Sequence, residues 1–381
     1  MNQTTTLTTL QSTATRYTTV ERASAIYNGV LDIFDYNASN DVTTPVILAR
    51  HQVRQIPSRS GNVLIPGAGI GTYILALLQE GFKPEQITAV ELDPAYSRLG
   101  YGIFNRLGVN YVTADFLSWE SNMKFNVIIG NPPYQNGKNS DFYVQFFKKS
   151  FDLLEDGGYL SLLSPTKGCL PSSKAQQHLK KLGWYKLSLG LEKWFPQQQQ
   201  TIAIYEARKG YKPTALTVTC GDVTAEYPFD TVFPVNEANP VVISTVDKFF
   251  KHPVKLPLQR LKQPPVVNYL YVSRMVRRFS PNRPKGGPLA FQIFTNSHQT
   301  SLDGGFLECA SEDNIKYTKM LTESPLYRFV YGHVFRAAFV PPLFWSLTPD
   351  LGIDNGFEDM VKNLNLSQQE SQYVLDWSNN N

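Results

Sequence analysis

The pattern of apolar and polar positions changes character twice along the chain. Positions 1 to 15 carry Thr and Gln with little to bury, so 1–40 read as a leader followed by a helix. From 61 to 207, short β-branched runs alternate with amphipathic stretches. The runs fall at 62–66, 86–91, 110–113, 125–130, 158–164, 185–190 and 200–207, with helical spacing at 71–81, 94–107, 141–155 and 172–182. This alternation predicts an α/β domain over 41–207, a doubly wound, mostly parallel seven-stranded sheet with helices on both faces. Only a loop at 192–200 separates the last two runs, which therefore suit an antiparallel hairpin at the sheet's end. After Ala207 the alternation stops, and proline-broken strands, loops and aromatics predict a second, mixed domain over 208–381.

Composition narrows the classes. At 381 residues, with 42% hydrophobic and 18% charged side chains, the chain has enough apolar content for a sizeable core and length for two domains. Cys169, Cys220 and Cys309 lie far apart without a CxxC pair, which supports neither a disulfide framework nor a zinc cluster and predicts no metal. The first twenty residues hold no apolar core of signal-peptide length, so a cytoplasmic protein is expected. The aromatic-apolar stretch 329–347 is broken by His333, Arg336 and Pro341-Pro342 and reads as core, not as a membrane span.

Net charge is only +4, but its distribution is uneven. Positions 248–302 hold ten basic side chains and no acidic one, whereas 350–381 hold six acids against Lys362. The basic block is interleaved with Tyr269, Tyr271, Phe279, Phe291 and Phe294. Basic and aromatic residues mixed over a turn-rich stretch suit a grip on a nucleic-acid backbone, with Arg274, Arg277, Arg278, Arg283 and Lys285 as candidate contacts.

Three successive strand ends carry candidate chemistry. The first run leads through Pro66-Gly67-Ala68-Gly69-Ile70-Gly71 into a helix, a turn that lets a ligand lie against bare backbone at a helix N-terminus. Val90-Glu91-Leu92-Asp93 closes the second run about twenty residues on, where a carboxylate can accept both hydroxyls of a ribose. Asp115-Phe116 closes the third, an acceptor for an adenine amino group beside a ring to cover its face. Together they describe a nucleoside pocket.

The fourth run enters Asn131-Pro132-Pro133-Tyr134. Two prolines stiffen the backbone and remove two N–H donors, leaving the Asn131 side-chain oxygen and the Pro132 carbonyl as fixed acceptors. An amino group conjugated to a ring is a poor nucleophile. Acceptors holding its hydrogens draw the nitrogen towards a tetrahedral shape, and Tyr134 offers a face for a planar substrate.

In these motifs the chain resembles S-adenosylmethionine-dependent amino-methyltransferases, most of all the gamma class of DNA adenine-N6 methyltransferases. The match spans 41–207 and includes Thr43-Thr44-Pro45 upstream, similar to the family's segment leading a helix beside the cofactor. The resemblance implies a Rossmann-like fold, with S-adenosyl-L-methionine held by Thr44, Pro45, Pro66, Gly67, Ala68, Gly69, Gly71, Glu91, Leu92, Asp115 and Phe116. It implies Asn131, Pro132, Pro133 and Tyr134 as the catalytic loop, and Phe195 beside Tyr134 as a ring that stacks on the flipped base. Ile65 departs from the family, which usually has an acid there.

The resemblance implies double-stranded DNA as partner, with the second domain recognising the target and the adenine flipped out of the helix. A stand-alone modification enzyme is expected, a monomer or weak dimer, either the partner of a cognate restriction endonuclease that is a separate protein or an orphan or phage methylase. Asn131 favours adenine over cytosine-N4 chemistry, and Cys169 lies outside the loop that cytosine-C5 chemistry would need. RNA-adenine and protein-glutamine methyltransferases share the NPPY chemistry, and a catalytically silent DNA-binding protein could retain the fold.

Overall fold

The computed structural model describes residues 20–33, 43–136, 142–169, 174–195, 201–231, 239–253, 255, 259–261, 269–272, 293–295, 305–308, 311–334, 349–351 and 356–380. The chain enters through α1 (Val20–Ile33) and α2 (Val46–Arg54). It then alternates: β1 (Val63–Pro66), α3 (Thr72–Gln79), β2 (Ile87–Glu91), α4 (Pro94–Phe104), β3 (Asn110–Thr113), β4 (Phe125–Gly130), α5 (Tyr143–Leu153) and β5 (Leu154–Pro165). Next come α6 (Lys174–Lys181), β6 (Trp184–Leu189), β7 (Ile202–Arg208), β8 (Ala215–Cys220) and β9 (Val223–Pro228).

These strands form one mixed sheet in the order β3-β2-β1-β4-β5-β7-β6-β8-β9. β1 to β5 are mutually parallel, and β7 runs antiparallel to both β5 and β6, so the expected hairpin forms. The sheet has nine strands, not seven. β8 lies parallel beside β6, with Lys186 opposite Thr217, and β9 folds back on β8 about Gly221. The cause is the alternation in 215–220, which buries Leu216 and Val218 on the sheet's core face. A hairpin needs no crossover helix, so loss of strand-helix alternation at 207 marks no end of the sheet.

Both faces of the sheet are covered. Val63 and Ile65 of β1 point into a core shared with Tyr27, Val53, Ile74 and Phe104 of α1 to α4, whereas Leu64 points into the opposite core with Phe147 and Leu179 of α5 and α6. Successive strand residues thus serve opposite layers, as the period-two geometry requires. Strand order reverses between β1 and β4. At such a reversal the loops at the strands' carboxyl ends diverge and leave a crevice.

Beyond the sheet, β10 (Gln259–Leu261), β11 (Tyr269–Val272), β12 (Ile293–Thr295) and β13 (Gly305–Glu308) form an antiparallel sheet ordered β10-β13-β11-β12. Five helices complete the described part: α7 (Pro240–Lys251), α8 (Glu312–Glu323), α9 (Pro325–Val334), α10 (Phe357–Asn363) and α11 (Gln368–Asn380). Phe329 of α9 meets Tyr373 and Trp377 of α11 edge-on, 6.0 and 5.6 Å between centroids. Among the described residues, no helix is long and apolar enough to cross a membrane.

Candidate active site

The crevice between β1 and β4 is walled by two loops that touch. Gly67, Gly69 and Gly71 adopt φ of 65°, 58° and 102°, a left-handed path that L side chains resist by about 1–2 kcal/mol each. A methyl group on Gly67 would sit 3.5 Å from Pro133 Cδ and 3.7 Å from Pro132 Cα, so the glycine loop abuts the proline loop. Around Gly69, by contrast, the corresponding position meets nothing within 4 Å. That opening is where a ligand can lie against the backbone.

Glu91, at the end of β2, holds the glycine loop. Its Oε2 accepts from the Gly69 amide at 2.7 Å and its Oε1 from the Asp93 amide at 2.8 Å. Burial raises the Glu91 carboxyl above its ordinary value, opposed by these amide bonds. The Leu92 amide also bonds this carboxylate, whose roughly four acceptor sites still leave room for a ribose hydroxyl. The Tyr111 hydroxyl donates to the Gly69 carbonyl from β3 and fixes the other side of that peptide. Asp93 is the N-cap of α4, accepting from the amides of Ala95 and Tyr96.

The remaining pocket residues divide. Leu92 is 65% exposed beside Glu91, an apolar surface with no cover in the protein. Asp115 is exposed, with Oδ1 accepting from the Leu117 amide at 3.0 Å. Phe116, expected to cover an adenine face, is instead buried and stacks on Phe146 at 5.3 Å and 19°. Its apolar ring gains more from the core under β3 than from solvent, which leaves Leu92 as the accessible apolar surface.

The proline loop is tied to the segment before α2. Asn131 Nδ2 donates to Thr44 Oγ1 at 3.1 Å, and Asn131 Oδ1 accepts from the Tyr134 hydroxyl at 2.6 Å. Thr44 is buried and Pro45 is the N-cap of α2, its carbonyl accepting from the amides of Leu48 and Ala49. Burial raises the pKa of the Tyr134 hydroxyl, which remains a neutral donor. Behind Thr44 lies a polar cluster that sequence reading misses. The Tyr73 hydroxyl is a hydrogen-bonding neighbour of Thr44 and donates to Gln52 Oε1 at 2.8 Å, and Gln52 Nε2 donates to Ser161. Its one signal is a buried glutamine on the helical face that also buries Leu48, Ala49 and Val53.

Other expectations fare differently. Phe195 is not a surface ring: it is buried in the core of α1 to α4, where an apolar ring is stabilised by burial and cannot stack on a base in this conformation. Trp194 next to it is partly buried, with the Lys193 ammonium 5.4 Å from its ring centre. Ile65 is fully buried in the same core, so β1 offers no acid to the crevice. Arg274, Arg277, Arg278, Arg283 and Lys285 lie outside the described residues, in the stretch of sequence between β11 and β12. Three other members of the basic block are engaged internally: Lys248 with Glu370 at 2.8 Å, Lys251 with Asp230 and Asp247, and Lys255 with the Phe250 carbonyl. Of the acidic tail, Glu370 thus neutralises Lys248.

A Rossmann-like sheet with a glycine loop after β1, an acid after β2 and NPPY after β4 is the arrangement that the resemblance to S-adenosylmethionine-dependent methyltransferases implies, and glycine loop and acids fit that cofactor. Residues 104–182, from the end of α4 through the NPPY loop to α6, match the model of the Eco57I restriction-modification methylase family. The chain is 38% identical over 74 residues to the type II methyltransferase M.CvrRI of Paramecium bursaria Chlorella virus XZ-6E, covering 19% of this chain and 18% of that one. It is 27% identical over 210 residues to the type II methyltransferase M.TthHB8I of Thermus thermophilus, covering 48% and 47%. A release factor glutamine methyltransferase of Buchnera aphidicola is 31% identical over 121 residues, covering 30% and 43%. The chain thus spans less than half the length of each of these relatives.

Proposed function

We propose that the protein transfers a methyl group from S-adenosyl-L-methionine to N6 of an adenine flipped out of duplex DNA, as a site-specific modification enzyme. The observation that carries this reading is the close approach of the glycine loop to the proline loop at the strand reversal, which sets Asn131 against the cofactor crevice. Glu91 and Asp115 would accept from the ribose and the adenine amine of the cofactor, with Leu92 against its ring. S-Adenosyl-L-methionine supplies the electrophilic methyl group.

Asn131 Oδ1 and the Pro132 carbonyl would accept the two hydrogens of the target amine, holding its lone pair in line for attack. As the N–C bond forms the methyl–sulfur bond would break, its electron pair returning to sulfur to leave S-adenosylhomocysteine, and one of the amine hydrogens would then leave as a proton to water. Tyr134 would stack on the flipped base. No covalent intermediate is required, so the rate enhancement comes from positioning and preorganised dipoles. The 274–285 segment would grip the phosphates, and a restriction endonuclease would be a separate partner.

A second reading, methylation of a glutamine side chain, is favoured by the similarity to the Buchnera protein. Both substrates present a planar amide-like nitrogen to the same acceptors. Tritiated methyl transfer offered in parallel to duplex DNA, RNA and a release factor separates them. Label in DNA is expected; label in RNA or protein alone would sink the proposal.

A further inference from the structure

The acceptor role of Asn131 depends on which end of its amide faces the crevice, because oxygen and nitrogen ends have nearly the same shape. The Tyr134 hydroxyl does not decide this, since it can donate to Oδ1 or accept from Nδ2. The buried cluster behind Thr44 does. Ser161 lies in β5, paired with Ile129 of β4 and with Glu206 of β7, and its carbonyl can only accept. Gln52 is 1% exposed and directs Nε2 to that carbonyl and to Ser161 Oγ, both at 2.8 Å, which turns Oε1 towards Tyr73. The Tyr73 hydroxyl spends its one proton on Gln52 Oε1 at 2.8 Å. It can then only accept from Thr44, whose hydroxyl acts as a donor towards it. With its proton committed, Thr44 Oγ1 can only accept from Asn131, and Nδ2 donates to it at 3.1 Å.

We infer that Tyr73 and Gln52 are positioning residues for methyl transfer: a one-way chain from Asn131 through Thr44, Tyr73 and Gln52 to the Ser161 carbonyl fixes Asn131 with its oxygen towards the substrate. The inference rests on the methyltransferase reading, and it concerns residues that touch neither cofactor nor base. Removing the Gln52 acceptor frees the Tyr73 proton to turn towards Thr44. Thr44 then donates to Asn131, which pulls Oδ1 away from the crevice. Tyr73 is held neutral by burial, so the chain does not break by ionisation near neutral pH.

The test uses Tyr73→Phe and Gln52→Met in the full chain, with two readouts. In steady-state methylation of DNA, kcat falls about 10²-fold, the cost of a misplaced reacting group, while cofactor affinity stays near that of the unaltered protein. In protein labelled with ¹⁵N-asparagine, the Asn131 side-chain resonance, identified by its loss in Asn131→Asp, shifts and exchanges faster in both variants. A folded Tyr73→Phe and Gln52→Met with unchanged kcat and an unchanged Asn131 resonance overturns the inference. If the unaltered protein methylates no DNA, the functional reading fails, and the resonance alone decides whether the chain orients Asn131.

Discussion

The hydroxyl of Tyr134 donates to Oδ1 of Asn131 at 2.6 Å, so one of the two lone pairs of the acceptor proposed for the target amine is occupied when no substrate is present. An entering base must share that oxygen with the hydroxyl or displace it while stacking on the same ring. Tyr134→Phe keeps the ring and frees the acceptor, so single-turnover methyl transfer is expected to hold or rise. Tyr134→Ala removes stacking worth about 1–3 kcal/mol, a loss of about 5- to 150-fold. A Phe variant as impaired as the Ala variant would show that the hydroxyl itself, and not the ring, carries the role.

Asn131→Ala separates chemistry from cofactor binding. The glycine loop is held by Glu91, Tyr111 and the Val90 carbonyl, none of which involves Asn131. Methyl transfer should fall about 10²- to 10³-fold, the usual cost of one preorganised dipole, with cofactor affinity retained by calorimetry. Weakened affinity in a folded variant contradicts that division.

Glu91 gives a pH dependence with a definite sign. Burial raises its carboxyl, so on acidification it takes up a proton earlier than an exposed carboxylate would. The protonated form has one acceptor fewer for the ribose, and cofactor affinity is expected to weaken as the pH falls through the raised value. Glu91→Gln should bind more weakly at neutral pH and lose this dependence. An acid limb that survives in Glu91→Gln would assign the effect to another group.

The glycines separate fold from ligand. An added Cβ on Gly71 would lie 2.4 Å from the Phe104 ring, and its φ is 102°. Gly71→Ala is expected to cost about 2–4 kcal/mol in urea unfolding, overpacking added to left-handed strain. Gly69→Ala meets open space, so its stability cost is confined to backbone strain and its main effect is weaker cofactor binding. Equal stability losses with unchanged affinity would place the cofactor elsewhere.

Because Lys248, Lys251 and Lys255 already have partners within the chain, phosphate neutralisation should fall mainly to the arginines that follow. Charge reversal at Arg277 and Arg278 is expected to weaken DNA binding and to flatten its dependence on salt, by about 0.9 in the log–log slope for each phosphate no longer neutralised. Binding unaltered across a salt series would remove this segment from the interface.

Much of the core is legible in the sequence because it rests on local periodicity and on turns with few solutions. The run at 125–130 is β4 to the residue, and the glycine loop, Glu91 and NPPY stand at the ends of their strands. What the sequence hides are choices between burial and exposure. Phe116 and Phe195 have the positions of ligand rings, but an apolar ring next to a sheet can face either way, and both enter the core. The β8–β9 hairpin escapes the strand-helix pattern because it lacks a helix, not because it lacks alternation. The chain from Asn131 to Ser161 joins residues as far apart as Gln52 and Ser161, 109 positions, a relationship that no sequence spacing encodes.

The most direct test digests duplex DNA after incubation with the purified protein and S-adenosyl-L-methionine carrying a heavy methyl group, and weighs the nucleosides. Heavy N6-methyldeoxyadenosine is expected at one recurring sequence, and is expected to be absent with Asn131→Ala. Heavy methyl on cytosine, or none in DNA while a protein or RNA substrate takes the label, would contradict it.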